Sequence, residues 1–469
     1  MKKLVKKIRE VDLYLFLGLS FYIFLFLLRF LKFEFFISSS WISYNNDAFY
    51  WSWCAKELAE KGHVDFENPA LFSNGRNLYF QGCFFSIGYT LILLTIFKLF
   101  GINLRIVQVL IFLIMVINLK LFYDILMRIS NDKFVAGFVF LILIINPFTT
   151  IFSFKIRPDP FALMFILLSI KSALNGRALA SATSYFIGVF LFKTNYFILI
   201  FVILHFLFKS SKNKINSMLK FLTNTALFST IYLISVYLPI KETFPQMIDY
   251  LMRSNSIPLN RTLSIKVSHL SAFLPNYLGL ISTIGILMYL GTLLIYPLNR
   301  RVFPIEGARS FTFLLAILGL AELSNKIKFF KKILPFLFIA YLPISFAFLE
   351  KDFIQTKIEN ELSKKIISEA KTKRICSSNT PVSGFLLVFY PTQLNKQESK
   401  NLAYKFIFSS GEIDINNISD CDIILVLEDH PITIPSDKVL KTSITTIRLR
   451  DLLKQYLVKL IPKVKNYLR

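Results

Sequence analysis

The sequence predicts an α-helical, polytopic membrane protein of about 10 transmembrane helices, followed by a small C-terminal soluble α/β domain. Three observations predict it. Of the 469 residues 54% are apolar and 16% aromatic, and the apolar ones come in runs rather than at amphipathic spacing. Charged residues gather between those runs, with a net charge of +25. Beyond residue 351 the long runs stop, charges become common and short β-type stretches begin.

Crossing a bilayer core of roughly 30 Å takes about 20 helical residues. Apolar runs approaching or reaching that length lie near 13–35, 105–126, 134–154, 160–176, 178–193, 195–208, 221–240, 274–298, 309–323 and 333–349. The start, Met1-Lys2-Lys3-Leu4-Val5-Lys6-Lys7, is basic, but the apolar run behind it is too long for a signal peptide and no small-residue cleavage site follows. It reads as an uncleaved signal anchor.

A further run, 84–100, decides the sidedness of everything after it. Laid along the surface, it leaves the basic loops 127–133, 171–177 and 209–220 on the side of the basic N-terminus, as the preference for cytoplasmic Lys and Arg requires. If it crosses, all three fall outside. We therefore read 84–100 as a juxtamembrane helix and residues 36–104 as the first extracytoplasmic loop. Within that loop residues 47–61 form a second surface helix ending at Gly62. Trp51, Ala55 and Leu58 lie on one face, with Lys56, Glu57, Glu60 and Lys61 on another. Another outer loop, 241–273, carries Lys241, Arg253, Arg261, Lys266 and His269 and is long enough to fold over a site.

The domain reading is thus 1–350 for the transmembrane domain and 351–469 for the soluble one, where Phe385–Tyr390 and Ile423–Leu427 read as strands. Helix parity puts that domain in the cytoplasm. One miscounted span reverses this, so its side stays open. Its basic amphipathic tail, from Leu452 onward, suits anionic lipid or a closing helix equally. The net positive charge reports orientation and anionic headgroups rather than nucleic acid. Cys54, Cys83, Cys376 and Cys421 show no metal-ligand spacing, and a disulfide between either pair stays open.

Two carboxylates stand out in a chain otherwise built for lipid. Asp47 follows the first span in Ser43-Tyr44-Asn45-Asn46-Asp47-Ala48-Phe49-Tyr50-Trp51, and Asp159 opens a later one in Arg157-Pro158-Asp159-Pro160. Ionised groups cost several kcal/mol in hydrocarbon, so carboxylates kept at span edges point to chemistry where bilayer meets water. The loop placement puts both on the outer face. Each also sits where a helix N-cap belongs.

A lipid-linked donor needs a membrane groove, cations for its phosphate and a carboxylate to deprotonate the acceptor. The leaving phosphate is a weak base, so Arg or Lys suffices to stabilise it. Asp47 is the candidate base, with Asp159 beside it. Arg157, Arg76, Lys193 and Lys328 are the candidate phosphate ligands. The run Lys326 to Lys332 lies outside by parity, against the positive-inside rule. Either it binds phosphates there or the helix count is off by one. Basic residues at span edges also snorkel to headgroups, and Trp51 and Trp53 suit the interface as well as a sugar.

The order of these parts resembles the membrane-embedded glycosyltransferases of GT-C type, in particular family 39 with its protein O-mannosyltransferases and aminoarabinose transferases. The resemblance covers roughly residues 10–210 and rests on four segments: Asp47–Gly62 after the first span, the surface helix Gly88–Gly101, Arg157-Pro158-Asp159-Pro160 at the start of a span, and Phe192-Lys193-Thr194-Asn195. It implies transfer of a glycosyl unit from a polyprenyl-phosphate donor at the outer face of the plasma (inner) membrane, with Asp47 as base. The partners it implies are that donor, membrane lipids, and a glycan, lipid or protein acceptor. No cofactor is implied as a requirement. The chain departs from the family at Ala48 and at Phe80-Gln81-Gly82-Cys83, where members often have a second acid and a Pro-Pro element, so acceptor class and a divalent metal stay open. A flippase for lipid-linked saccharides is the rival from another class, favoured by charges inside spans, whereas here the charges sit at edges.

Overall fold

The computed structural model describes residues 12–33, 46–62, 87–146, 149–150, 156–191, 199–240, 317–322, 324–325, 328–377, 402–404, 408–409, 412–413, 422–427 and 439–442. The described residues are mostly helical. Its principal helices are α1 (Leu13–Lys32), α2 (Asn46–Lys61), α3 (Ile87–Phe100), α4 (Leu104–Ser130), α5 (Lys133–Ile145), α6 (Asp159–Leu174), α7 (Ala178–Leu191), α8 (Leu199–Ser210), α9 (Lys214–Ile240) and α10 (Lys328–Ala370). Among the described residues, α1 and α4 are long and apolar enough to cross a membrane. The runs 274–298 and Phe385–Tyr390, and the tail from Leu452, lie outside the described residues.

Two helices end differently from the sequence expectation. Within the run 134–154, α5 ends at Ile145, because Asn146 precedes Pro147 and takes an extended backbone (φ −63°, ψ 133°). A proline disfavours helical geometry in the residue before it. Conversely α10 runs on to Ala370, far past the last apolar residue of 333–349. Helicity outlasts apolarity there because the following Glu, Lys and Gln residues are good helix formers, with Lys357 and Glu361 paired one turn apart at 3.8 Å.

The chain divides into two units: residues 1–26, 110–154 and 158–346, and residues 27–109, 155–157 and 347–469. In the first, the α4–α5 turn is closed by Asn131 in a left-handed conformation (φ 50°) and by Asp132, whose carboxylate caps α5 by accepting from Phe134 and Val135 N–H groups. α6 and α7 form a close hairpin. Ser169 Oγ donates to the Ser181 carbonyl at 2.8 Å and Ser181 Oγ returns a bond to the Ser169 carbonyl at 3.0 Å. A Cβ on Gly188 would stand 3.1 Å from the Ala162 carbonyl oxygen, so the helices meet backbone to backbone. Small residues allow such contacts where lipid provides no hydrophobic drive. The start of α1 lies along α5 in the same direction: the Tyr14 ring occupies the space a side chain at Gly137 would need, and the Phe140 and Ile144 side chains stand against Gly18.

Polar contacts collect at one end of this unit. Arg128 at the end of α4 donates to Asn175 at the end of α6, Lys171 pairs with Asp124 at 2.9 Å, and Lys331 at the start of α10 pairs with Asp132. The Gly176 turn lies against the backbone of Ser210 and Ser211. The three basic loops thus share one end.

In the second unit α2 packs on α3, burying Ser52, Cys54 and Ala55 from one helix and Tyr89, Leu93, Ile96 and Phe97 from the other. Lys61 pairs with Glu57 at 2.7 Å, and Gly62 ends α2 with φ +77°. Arg105 donates to the Phe30 carbonyl at 2.6 Å. Phe33 meets the Phe353 ring edge-on at 4.9 Å. The C-terminal strands β1 (Ile375–Ser377), β2 (Leu402–Tyr404), β5 (Ile423–Leu427) and β6 (Val439–Thr442) pair in parallel in the order β2-β1-β5-β6, and β3 (Phe408–Ser409) with β4 (Glu412–Ile413) forms an antiparallel pair.

Candidate functional site

Pro158 caps the N-terminus of α6 with φ −72°, ψ −19°, and makes no side-chain capping bond. Its carbonyl accepts the first helical bonds, from Phe161 at 3.1 Å and Ala162 at 3.0 Å. Asp159 therefore falls inside the first turn rather than at the cap position. A carboxylate there is favoured by the positive end of the helix. Pro160 fits because its missing N–H is one of those that no helical carbonyl reaches.

This turn is held by a residue that sequence reading passed over. Asn118, near the middle of α4, donates from Nδ2 to the Pro160 carbonyl at 2.7 Å. The side chain is fully buried, and its Oδ1 has no hydrogen-bond partner among the described residues. Donation to a carbonyl fixes which end of the amide is which. The Arg157-Pro158-Asp159-Pro160 segment thus starts α6 level with the middle of a helix long enough to cross a membrane, recessed rather than at its rim. The available signal was a lone asparagine in an apolar run, and an amide kept there is expected to have a partner.

The approach to the segment is fixed at Asn146, where α5 ends. Asn146 Nδ2 donates to the Tyr341 hydroxyl at 2.7 Å, with both groups buried. Ser345 donates to the Ile145 carbonyl. Thr150 Oγ1 donates to the Asn146 carbonyl at 3.2 Å.

Asp47 is the second residue of α2, so both aspartates open helices, one in each unit. Arg157 is only 5% exposed, a burial that a guanidinium tolerates only with acceptors around it. Arg76 and Lys193 lie outside the described residues. Lys328 is exposed at the first position of α10, three residues before Lys331 and therefore at the Asp132 end of α5. Asn146 is at the other end. A cavity of about 600 Å³ lined by Phe208, Lys212, Asn213, Lys214 and Ile215 opens at the α8–α9 turn, also at the basic end. Its open, lysine-rich setting suits headgroups better than a reaction centre.

Cys54 is disulfide-bonded. Beside it on α2, burial pushes the Lys56 ammonium below its ordinary pKa, opposed by the nearby Glu60 and Glu57 carboxylates. Among the described residues no three His, Cys, Asp or Glu side chains converge as metal ligands would. Comparison with protein-family models, curated proteins and solved structures gave no match.

Proposed function

We propose that the chain is a multi-pass membrane glycosyltransferase of GT-C-like architecture, with a C-terminal α/β domain. It moves a sugar from a polyprenyl-phosphate donor to an acceptor at the extracytoplasmic face. The observation that carries this reading is the seating of Arg157-Pro158-Asp159-Pro160 at the recessed start of α6, against Asn118. A carboxylate and a buried guanidinium so close in sequence are hard to explain by stability alone. The disulfide at Cys54 also supports it, since disulfides persist in oxidising, extracytoplasmic compartments.

In this mechanism Asp47 takes the proton from the acceptor hydroxyl or amine as that atom bonds to the anomeric carbon. The bond from that carbon to the phosphate oxygen breaks, and the electron pair leaves with the phosphate. Arg157 stabilises the charge so released, and Asp159 orients the reacting groups. Arg76 and Lys193 are the further phosphate ligands, while Lys328, at the Asp132 end of α5, is left out. The purified protein in lipid vesicles, given labelled polyprenyl-phosphate sugars and candidate acceptors, tests this. Product formed by the wild type and lost in Asp47→Asn supports the reading. Product formed equally by both removes Asp47 from the mechanism, and no product with any donor counts against the transferase.

A further inference from the structure

The direction of α10 bears on the sidedness of everything after it. Its contacts with α5 rise in step along both helices. Lys331 pairs with Asp132 and lies over the Phe134 ring at 5.9 Å. Phe338 meets Phe138 edge-on at 6.3 Å. Tyr341 accepts from Asn146, and Ser345 donates to the Ile145 carbonyl. The two helices therefore run parallel. Residues 333–349 of α10 carry no charge and span about 25 Å at 1.5 Å per residue, between Lys331-Lys332 and Glu350-Lys351.

In the other unit α10 meets the end of α1. Phe353 of α10 meets Phe33, just past the end of α1, and Lys32 of α1 lies over the Phe353 ring at 4.7 Å.

We infer that the chain leaves α10 on the extracytoplasmic side, and that the C-terminal parallel sheet folds there rather than in the cytoplasm where helix counting puts it. The inference rests on the membrane reading above, in which the basic end of the bundle is cytoplasmic. Since α9 leads outward and α10 starts at the basic end, this direction of α10 is incompatible with a count of ten spans. The cluster Lys326–Lys332 becomes cytoplasmic and stops opposing the charge rule. The C-terminal sheet comes to lie on the side where donor and acceptor meet.

The test uses the full-length chain with one epitope tag before Met1 and a different one after Arg469, expressed in a bacterial host. Antibody access and protease cleavage of each tag are scored in intact and in permeabilised spheroplasts. The inference expects the C-terminal tag to be reached and removed in intact spheroplasts, and the N-terminal tag only after permeabilisation. Both tags on one side, whichever it is, overturn the parallel course of α10. A reached N-terminal tag with a protected C-terminal one overturns the orientation. Recovery of the chain in the soluble fraction defeats the membrane reading itself, independently of any transferase assay.

Discussion

Asn118 donates a 2.7 Å hydrogen bond to the carbonyl of Pro160 across the α4–α6 contact, with its side-chain Oδ1 left unmatched among the described residues. The bond ties the first turn of the helix that carries Asp159 to the middle of the helix beside it. It also sets the depth of that turn, since α4 and α6 run in the same direction and meet again at Asp124 with Lys171 and at Arg128 with Asn175.

The two ends of the Asn118 amide predict opposite outcomes for two substitutions. In Asn118→Leu an already unmatched oxygen disappears along with the donor, so the loss of stability is about 1 kcal/mol. Asn118→Asp brings a carboxylate against the Pro160 carbonyl in a dry site. That group must either stay charged and unpaired or bind a proton, at a cost of several kcal/mol. Thermal unfolding in detergent checks the order. A leucine variant less stable than the aspartate one refutes the assigned bond.

The Asn146–Tyr341 bond predicts a coupling. Tyr341→Phe removes the acceptor of a buried N–H and is expected to cost about 1–3 kcal/mol. Once Asn146→Leu is in place, the same change costs little. A double-mutant cycle on unfolding free energies reads the interaction directly, with about 0.5–3 kcal/mol expected for groups in contact. Additive effects mean that the two side chains do not meet.

How much of this was legible follows from where each signal resides. The helix at residues 47–61 and the strand Ile423–Leu427 are local patterns, and they appear as Asn46–Lys61 and Ile423–Leu427. Pro160 marked the start of α6 in the same way. The end of α5 was written in Asn146-Pro147, but the apolar residues beyond it masked the signal. Asn118 could not be linked to Pro160 because the two are 42 residues apart, and no periodicity connects them. The direction of α10 was lost for a similar reason. Helix counting depends on the weak run 309–323, whereas contacts such as Lys331 with Asp132 give the direction of α10 without any count.

For the proposed chemistry, Asp47→Asn keeps the shape and removes the base. It is expected to lower kcat by about 10²–10⁴-fold with little change in KM for the donor. Asp159→Asn, acting on orientation, is expected to lower activity less. Initial rates with a labelled polyprenyl-phosphate sugar measure both. A larger loss at Asp159 than at Asp47 reverses the roles.

The Asp132–Lys331 pair predicts how stability depends on pH. The Lys331 hydrogen bond is the largest influence on the Asp132 carboxyl. Together with the N–H groups of Val135 and Phe134, and against a smaller desolvation penalty, it holds the group below the ordinary carboxylate range. A depressed folded value means that the unfolded chain takes up the proton first as the solution is acidified. The stabilisation is therefore present in full above the ordinary aspartate value of about 4 and is lost as pH falls through the lower folded value. Asp132→Asn retains a good helix cap while discarding the charge pair. At pH 7 it should lower stability by about 1 kcal/mol or less, since the pair is partly exposed. Between pH 5 and pH 3 its Tm should fall less steeply than that of the wild type. Equal slopes for the two proteins would show that Asp132 does not pair with Lys331, and would remove one of the contacts that set the direction of α10.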